Sequence, residues 1–207
     1  MKTHVKICGI TRTEDAVFAE SLGASAVGFV FYPKSPRYIR PESAGKISEK
    51  LGPFIARVGV FVDEDPFFVM KTVHDAKLTA VQLHGSEDKK YIKKLHEISV
   101  IKAFRVDSSF NCDSLNGYTA EAFLFDTYGK NGCYGGTGET FDWSKIIECK
   151  KYGKIILAGG LNPGNVANAV ITVSPWAVDV SSGVEQKPGI KDYDKLKAFF
   201  EALQICS

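Results

Sequence analysis

Eight short runs of apolar, β-branched or aromatic residues recur along the chain: HVKICG, AVGFVFY, RVGVFV, AVQLHG, SVIKAFRV, AFLFDTY, KIILAGG and AVDVSSGV. Most are separated by stretches of helical character, among them TEDAVFAESLG, PFFVMKTVHDAK, DKKYIKKLHE, DWSKIIECKKYG and DYDKLKAFFEAL. In the first of these Thr13 is placed to cap the helix and Gly23 to stop it. Strand followed by helix, repeated, calls for right-handed βαβ units and a parallel sheet. Eight such repeats in 207 residues match a compact (β/α)8 TIM barrel, whereas a flavodoxin-like open sheet would use fewer strands. The expected fold is therefore α/β, one (β/α)8 barrel domain over residues 1–207, since no linker, low-complexity tract or charge block divides the chain. The pattern is weakest around RVDSSFNCDSLNG, where a short or distorted fifth helix is expected. The Gly-rich YGKNGCYGGTGETF after the sixth run reads as a long mobile βα loop.

Several function classes fall away on composition. Lys and Arg number 26 against 24 Asp and Glu, a formal charge of +2, so no field is built to bind nucleic acid. No signal-peptide pattern opens the sequence and no apolar run approaches the ~20 residues that span a bilayer, which makes a cytoplasmic protein with no membrane partner the expectation. The five cysteines, at 8, 112, 133, 149 and 206, are widely spaced without C-x-x-C and read as five reduced thiols. His84 and His96 are not at ligand spacing and HEISV lacks the second histidine of a zinc motif, so no metal is expected. Walker and G-x-G-x-x-G patterns are absent, and no nucleotide cofactor is expected either.

Strand parity locates the chemistry. In HVKICG, Val5 and Ile7 fall on one face while Lys6 and Cys8 fall on the other. On this stretch alone Cys8 reads first as a small buried hydrophobe, and the rest of the sequence has to supply any other role. The fourth run carries Gln82 then His84, the sixth ends in Asp126, and the eighth carries Asp179 then Ser181. Each alone could be a satisfied surface group or a turn cap, but in a closed barrel all of them converge on the C-terminal mouth, where active sites of this fold form. The loops after strands seven and eight commonly seat a phosphate there, through backbone N–H groups that glycine lets approach closely. Gly159, Gly160, Ser181, Ser182 and Gly183 suit that task. Arg37, held between the prolines of YPKSPRYIRPES, is a rigid fork for a carboxylate or else a solvated surface arginine.

Taken in order, KICGIT, GFVF…SPR, VGVF, VQLHG, FDTYG…GGTG…FDW, LAGGLNPGNV and VDVSSGVE…GIKD resemble the phosphoribosylanthranilate isomerases of tryptophan biosynthesis, and the matches run from residue 6 to about residue 192. The resemblance implies a cofactor-independent Amadori rearrangement of N-(5′-phosphoribosyl)anthranilate to 1-(2-carboxyphenylamino)-1-deoxyribulose 5-phosphate. It implies Cys8 as general base and Asp126 as general acid. It implies Arg37 on the anthranilate carboxylate, His84 lining the site, Asp179 near the substrate amine, and the phosphate against Gly160 and residues 181–183. The implied partner is this small phosphorylated sugar–anthranilate molecule, and the implied assembly a monomer or homodimer. Such chemistry needs a carboxyl that keeps its proton at neutral pH although free Asp titrates near ~3.9, and a thiol brought down from ~8.5. Lys6, two residues before Cys8 on the same face, is the expected cause of that lowering; neutralising a buried carboxylate is its alternative task. A related barrel synthase or dual-substrate isomerase, and a non-catalytic phospholigand-binding barrel, are the competing readings. The synthase would call for a catalytic lysine-rich set and an N-terminal extension, and the dual-substrate isomerase for two catalytic aspartates.

Overall fold

The computed structural model describes residues 3–95, 97–127 and 140–204. All eight apolar runs are strands: β1 (His4–Cys8), β2 (Ala26–Val30), β3 (Ala56–Phe61), β4 (Ala80–Leu83), β5 (Ser99–Val106), β6 (Ala122–Thr127), β7 (Lys154–Leu157) and β8 (Ala177–Val180). They pair in sequence order, all parallel, and β8 returns to β1, closing a (β/α)8 TIM barrel. Alternation along each strand divides the apolar residues between two cores. One set, including Val5, Ile7, Val27, Phe29, Leu83, Phe123 and Val178, packs outward against the helices. The other, Val58, Ile101, Ala103, Ala122, Leu124, Ile156, Ala158 and Ala177, fills the barrel. Lys6 pairs in register with Ala26 on one side and Asp179 on the other, and Cys8 with Gly28, so the polar layer lies above the apolar filling, at the C-terminal mouth.

Helices α1 (Thr13–Ser21), α2 (Pro41–Ser48), α3 (Pro66–Asp75), α4 (Lys89–Ile92), α5 (Val166–Val173) and α6 (Tyr193–Gln204) surround the barrel. In α1 the cap position belongs to Arg12, Thr13 being the first helical residue; Gly23, with φ of +95°, does end the segment. Pro41 opens α2 at a position where its missing N–H costs nothing, and α5 is built from VANAVITV, a β-branched stretch whose helical state comes from packing instead of propensity. The weak fifth connection is a 3₁₀ turn, Cys112–Leu115, and DWSKIIECKKYG forms a 3₁₀ segment over Trp143–Tyr152 instead of an α-helix.

The expectation of five reduced thiols is corrected here. The two 3₁₀ segments pack on each other and bring Cys112 and Cys149, 37 positions apart, into a disulfide with Cα atoms 5.1 Å apart. Spacing along the chain does not reveal that approach, because it is made by the packing of two βα connections. Cys8 is a free, buried thiol. The loop expected to be long and mobile, with Cys133 in it, and Cys206 lie largely or wholly outside the described residues.

After β8 a 3₁₀ turn, Ser182–Val184, leads into an antiparallel hairpin of β9 (Glu185–Lys187) and β10 (Ile190–Lys191) in which Lys191 pairs with Glu185. The strand pattern in the sequence did not include it. Among the described residues no helix is long and apolar enough to cross a membrane.

Candidate active site

A cavity opens at the C-terminal ends of the strands and is lined by Cys8, Arg37, Gln82, His84, Asp126 and Asp179, with Gly159, Gly160, Ser181 and Ser182 beside them. Nine of the ten residues singled out from the sequence thus share one opening. Gly183 is the exception: a side chain there would run into the carbonyl of Leu161, so its place is the close contact between the loops that follow β7 and β8.

The floor of the cavity is charged. Lys6 Nζ lies 2.9 Å from Asp179 Oδ1 with both side chains buried. Burial works against the ammonium, but the charges of Asp179 and Cys8 outweigh it and hold Lys6 above its ordinary range. For Cys8 the balance goes the other way. Burial pushes the thiol up, Lys6 opposes this by charge and hydrogen bond, and Asp179 adds to the rise, so the group ends above the usual cysteine range. The expected lowering is therefore overturned: Lys6 acts in the anticipated direction, but it also neutralises the buried carboxylate, and burial wins. Gly28 on the facing strand makes room for the thiol, since a Cβ there would stand 2.9 Å from Cys8 Sγ and 3.1 Å from Lys6 Cε. A glycine inside a strand is the usual signal of such close approach.

On the opposite wall Asp126 Oδ2 lies 3.4 Å from His84 Nε2, while its Oδ1 accepts the Thr127 backbone N–H at 2.8 Å. The far side of the imidazole, Nδ1, is 2.8 Å from the amide nitrogen of Gln82. Gln82 Oε1 and Ser181 Oγ are buried with no hydrogen-bond partner among the described residues. Orphaned buried polar atoms carry a desolvation cost, and two of them facing one cavity mark where a polar ligand completes the site. Gln82 stood at a strand tip in the sequence, yet its role was not separable there from that of any inward polar residue.

Arg37 is not a free fork. Its Nε and Nη2 grip Glu185, with Nη2 2.7 Å from Oε2 and Nε 3.0 Å from Oε1, so one edge of the guanidinium is taken and the other remains. In the loop after β7, Gly159 and Gly160 have φ of +82° and +65°, a conformation side chains disfavour. The Gly160 carbonyl is held by the side-chain amides of Asn162 and Asn165 at 3.2 and 3.0 Å, which fixes the turn. Among the described residues no group of three or more His, Cys, Asp or Glu could hold a metal ion. The arrangement sets a thiol and a carboxyl on one opening, with a glycine-rich seat alongside, as proton transfer on a small anionic molecule requires.

Comparison with known proteins gives a consistent result. Residues 5–202 match the family model described as N-(5'phosphoribosyl)anthranilate (PRA) isomerase. The N-(5'-phosphoribosyl)anthranilate isomerase of Geobacter sp. (strain M21) is 50% identical over 197 residues, 95% of this chain and 96% of that protein. The crystal structure of phosphoribosyl anthranilate isomerase from Thermus thermophilus superposes with a TM-score of 0.91 at 40% identity, covering 99% of this chain and 100% of that one. A phosphoribosyl anthranilate isomerase solved in complex with reduced 1-(o-carboxyphenylamino)-1-deoxyribulose 5-phosphate superposes with a TM-score of 0.86 at 46% identity, covering 98% of each chain.

Proposed function

Because the chain belongs to the N-(5'-phosphoribosyl)anthranilate isomerase family, we propose that it is the isomerase of tryptophan biosynthesis that converts N-(5′-phosphoribosyl)anthranilate to 1-(2-carboxyphenylamino)-1-deoxyribulose 5-phosphate. The observation that carries this reading is that Cys8 and Asp126, on non-adjacent strands, open onto one cavity beside the glycine turns after β7 and β8.

Asp126 gives its proton to the ring oxygen, the C1′–O bond breaks, and the nitrogen lone pair forms the C1′=N⁺ bond of an open-chain iminium. Cys8, as thiolate, takes the C2′ proton; the C–H electrons form C1′=C2′ and the iminium pair returns to nitrogen. The resulting enolamine tautomerises to the ketone, and the proton taken up by Cys8 passes through solvent back to Asp126, so no proton is gained or lost overall. Lys6 favours the thiolate that this step uses, against the burial and the Asp179 charge that oppose it, and the iminium formed by ring opening acts in the same direction as Lys6. His84 touches Asp126 and orients the proton it delivers. Asp179, tied to Lys6, faces the substrate amine. The phosphate lies against Gly159, Gly160, Ser181 and Ser182, with Ser181 Oγ gaining the partner it otherwise lacks and Gly183 holding the two loops together. The free edge of Arg37 takes the anthranilate carboxylate.

Incubation of the purified protein with fresh N-(5′-phosphoribosyl)anthranilate, followed by loss of the substrate's fluorescence, tests the assignment. Enzymatic decay above the spontaneous rate is expected. Binding without accelerated decay would identify a phospholigand-binding barrel instead.

A further inference from the structure

Glu185 and Lys191 belong to the segment GVE…GIKD but take no part in the proton transfers, and neither lines the cavity. They are nevertheless almost wholly buried, and most of their side-chain contacts lead back to it. Glu185 grips the inner edge of Arg37 through both carboxylate oxygens and also accepts the Gly189 backbone N–H at 3.2 Å. Lys191 Nζ donates to Glu185 Oε1 at 3.0 Å, to the Cys8 carbonyl at 2.6 Å and to the Ser181 carbonyl at 3.3 Å. Three acceptors for three N–H groups leave the ammonium fully used. The hairpin itself is pinned to α1, where the Lys191 backbone N–H donates to the buried Asp15 at 3.0 Å.

From this geometry we infer that Glu185 is a positioning residue that fixes Arg37 so that its remaining guanidinium edge meets the substrate's aromatic carboxylate, with Lys191 locking Glu185 in turn. The inference rests on the isomerase reading and deepens it, since it names what makes the site selective for a carboxylated ring. An arginine side chain free in solution holds many rotamers; one gripped bidentately from behind arrives with its donors already aimed, and the entropy of ordering it is not charged to binding. Two cations around one anion also leave one positive charge in excess, which matches a single carboxylate. Glu185 is ionised for this purpose: burial pushes its carboxyl up, but the hydrogen bonds from Arg37 and the charge of Lys191 outweigh that and hold it below the ordinary range.

Equilibrium binding separates this role from a merely structural one, measured calorimetrically for two ligands: reduced 1-(o-carboxyphenylamino)-1-deoxyribulose 5-phosphate, and the same molecule with a plain phenyl group. Glu185→Gln should weaken the carboxylated ligand about tenfold, equivalent to ~1.4 kcal/mol, and leave the phenyl ligand within about twofold. In an Arg37→Met background the same substitution should alter neither. If uncompensated cations prevent Glu185→Gln from folding, the double variant Glu185→Gln/Lys191→Met removes one charge of each sign and must show the same selective loss. Equal weakening of both ligands, or an unchanged affinity for the carboxylated one, overturns the inference while leaving the isomerase reading intact. A wild-type protein that binds neither ligand overturns the site reading, and this inference with it.

Discussion

Cys8 shows how one residue can answer to opposing influences. Strand parity places its thiol in the barrel beside Lys6, and the structure adds Asp179 on the neighbouring strand, 2.9 Å from the same ammonium. Lys6 is thus shared between a carboxylate and a thiol, and burial decides the outcome by pushing the thiol up. The pH dependence of alkylation follows. In a Cys133→Ser/Cys206→Ser background, iodoacetamide should modify Cys8 with a midpoint above that of free cysteine. Lys6→Met should move the midpoint further up, because it removes the one neighbour that most favours the thiolate and leaves the Asp179 charge uncompensated. A profile unchanged by Lys6→Met would show that the two groups are not coupled. The parity that placed Cys8, His84, Asp126 and Asp179 needs only the period of two and was legible in the sequence. The sign of the thiol's shift was not, because it depends on a buried pair formed by residues 173 positions apart.

At the scale of elements, all eight strands were legible because each is a short apolar or β-branched run ended by glycine or polar residues. The connections were less so. α5 reads as strand-like in composition, the hairpin of β9 and β10 is too short to carry a pattern, and the segment Trp143–Tyr152 winds as 3₁₀ although its sequence suits an α-helix. Two buried Lys–Glu pairs stiffen these connections. Lys191 with Glu185 ties the ends of β1 and β8 together. Lys102, 2.8 Å from Glu87, also donates to the carbonyls of Leu83 and Gly85, on either side of His84. The Cys112–Cys149 disulfide links the connections that follow β5 and β6. Closing a loop of that length is worth about 3–4 kcal/mol in the chain-entropy account. Reduction with dithiothreitol, or Cys112→Ser with Cys149→Ser, should therefore lower the thermal midpoint by several degrees in a calorimetric scan; an identical midpoint with and without reductant would mean that the cross-link carries no stability.

For the whole molecule, barrel closure is what turns scattered strand tips into a site. Residues 8 and 126 lie far apart along the chain, and Gly159, Gly160, Ser181 and Ser182 come from two further connections, yet the pairing of β8 with β1 brings them around one opening. That convergence was legible from the repeat count and parity together. Arg37's engagement by Glu185 was not, because it depends on the short hairpin that follows β8. Gln82 was visible only as a polar tip, its orphaned oxygen being a property of the packed site. The central claim is that Cys8 and Asp126 act as base and acid on one bound molecule. General acid–base groups each contribute on the order of 10²- to 10⁴-fold to rate, and their loss leaves binding largely intact when the interactions removed are made in the transition state. Steady-state kinetics on N-(5′-phosphoribosyl)anthranilate with Cys8→Ala and Asp126→Asn is the most direct measurement. Each variant should lose kcat by a factor in that range with KM changed only a few-fold, whereas a variant of either residue that keeps the wild-type kcat contradicts the account.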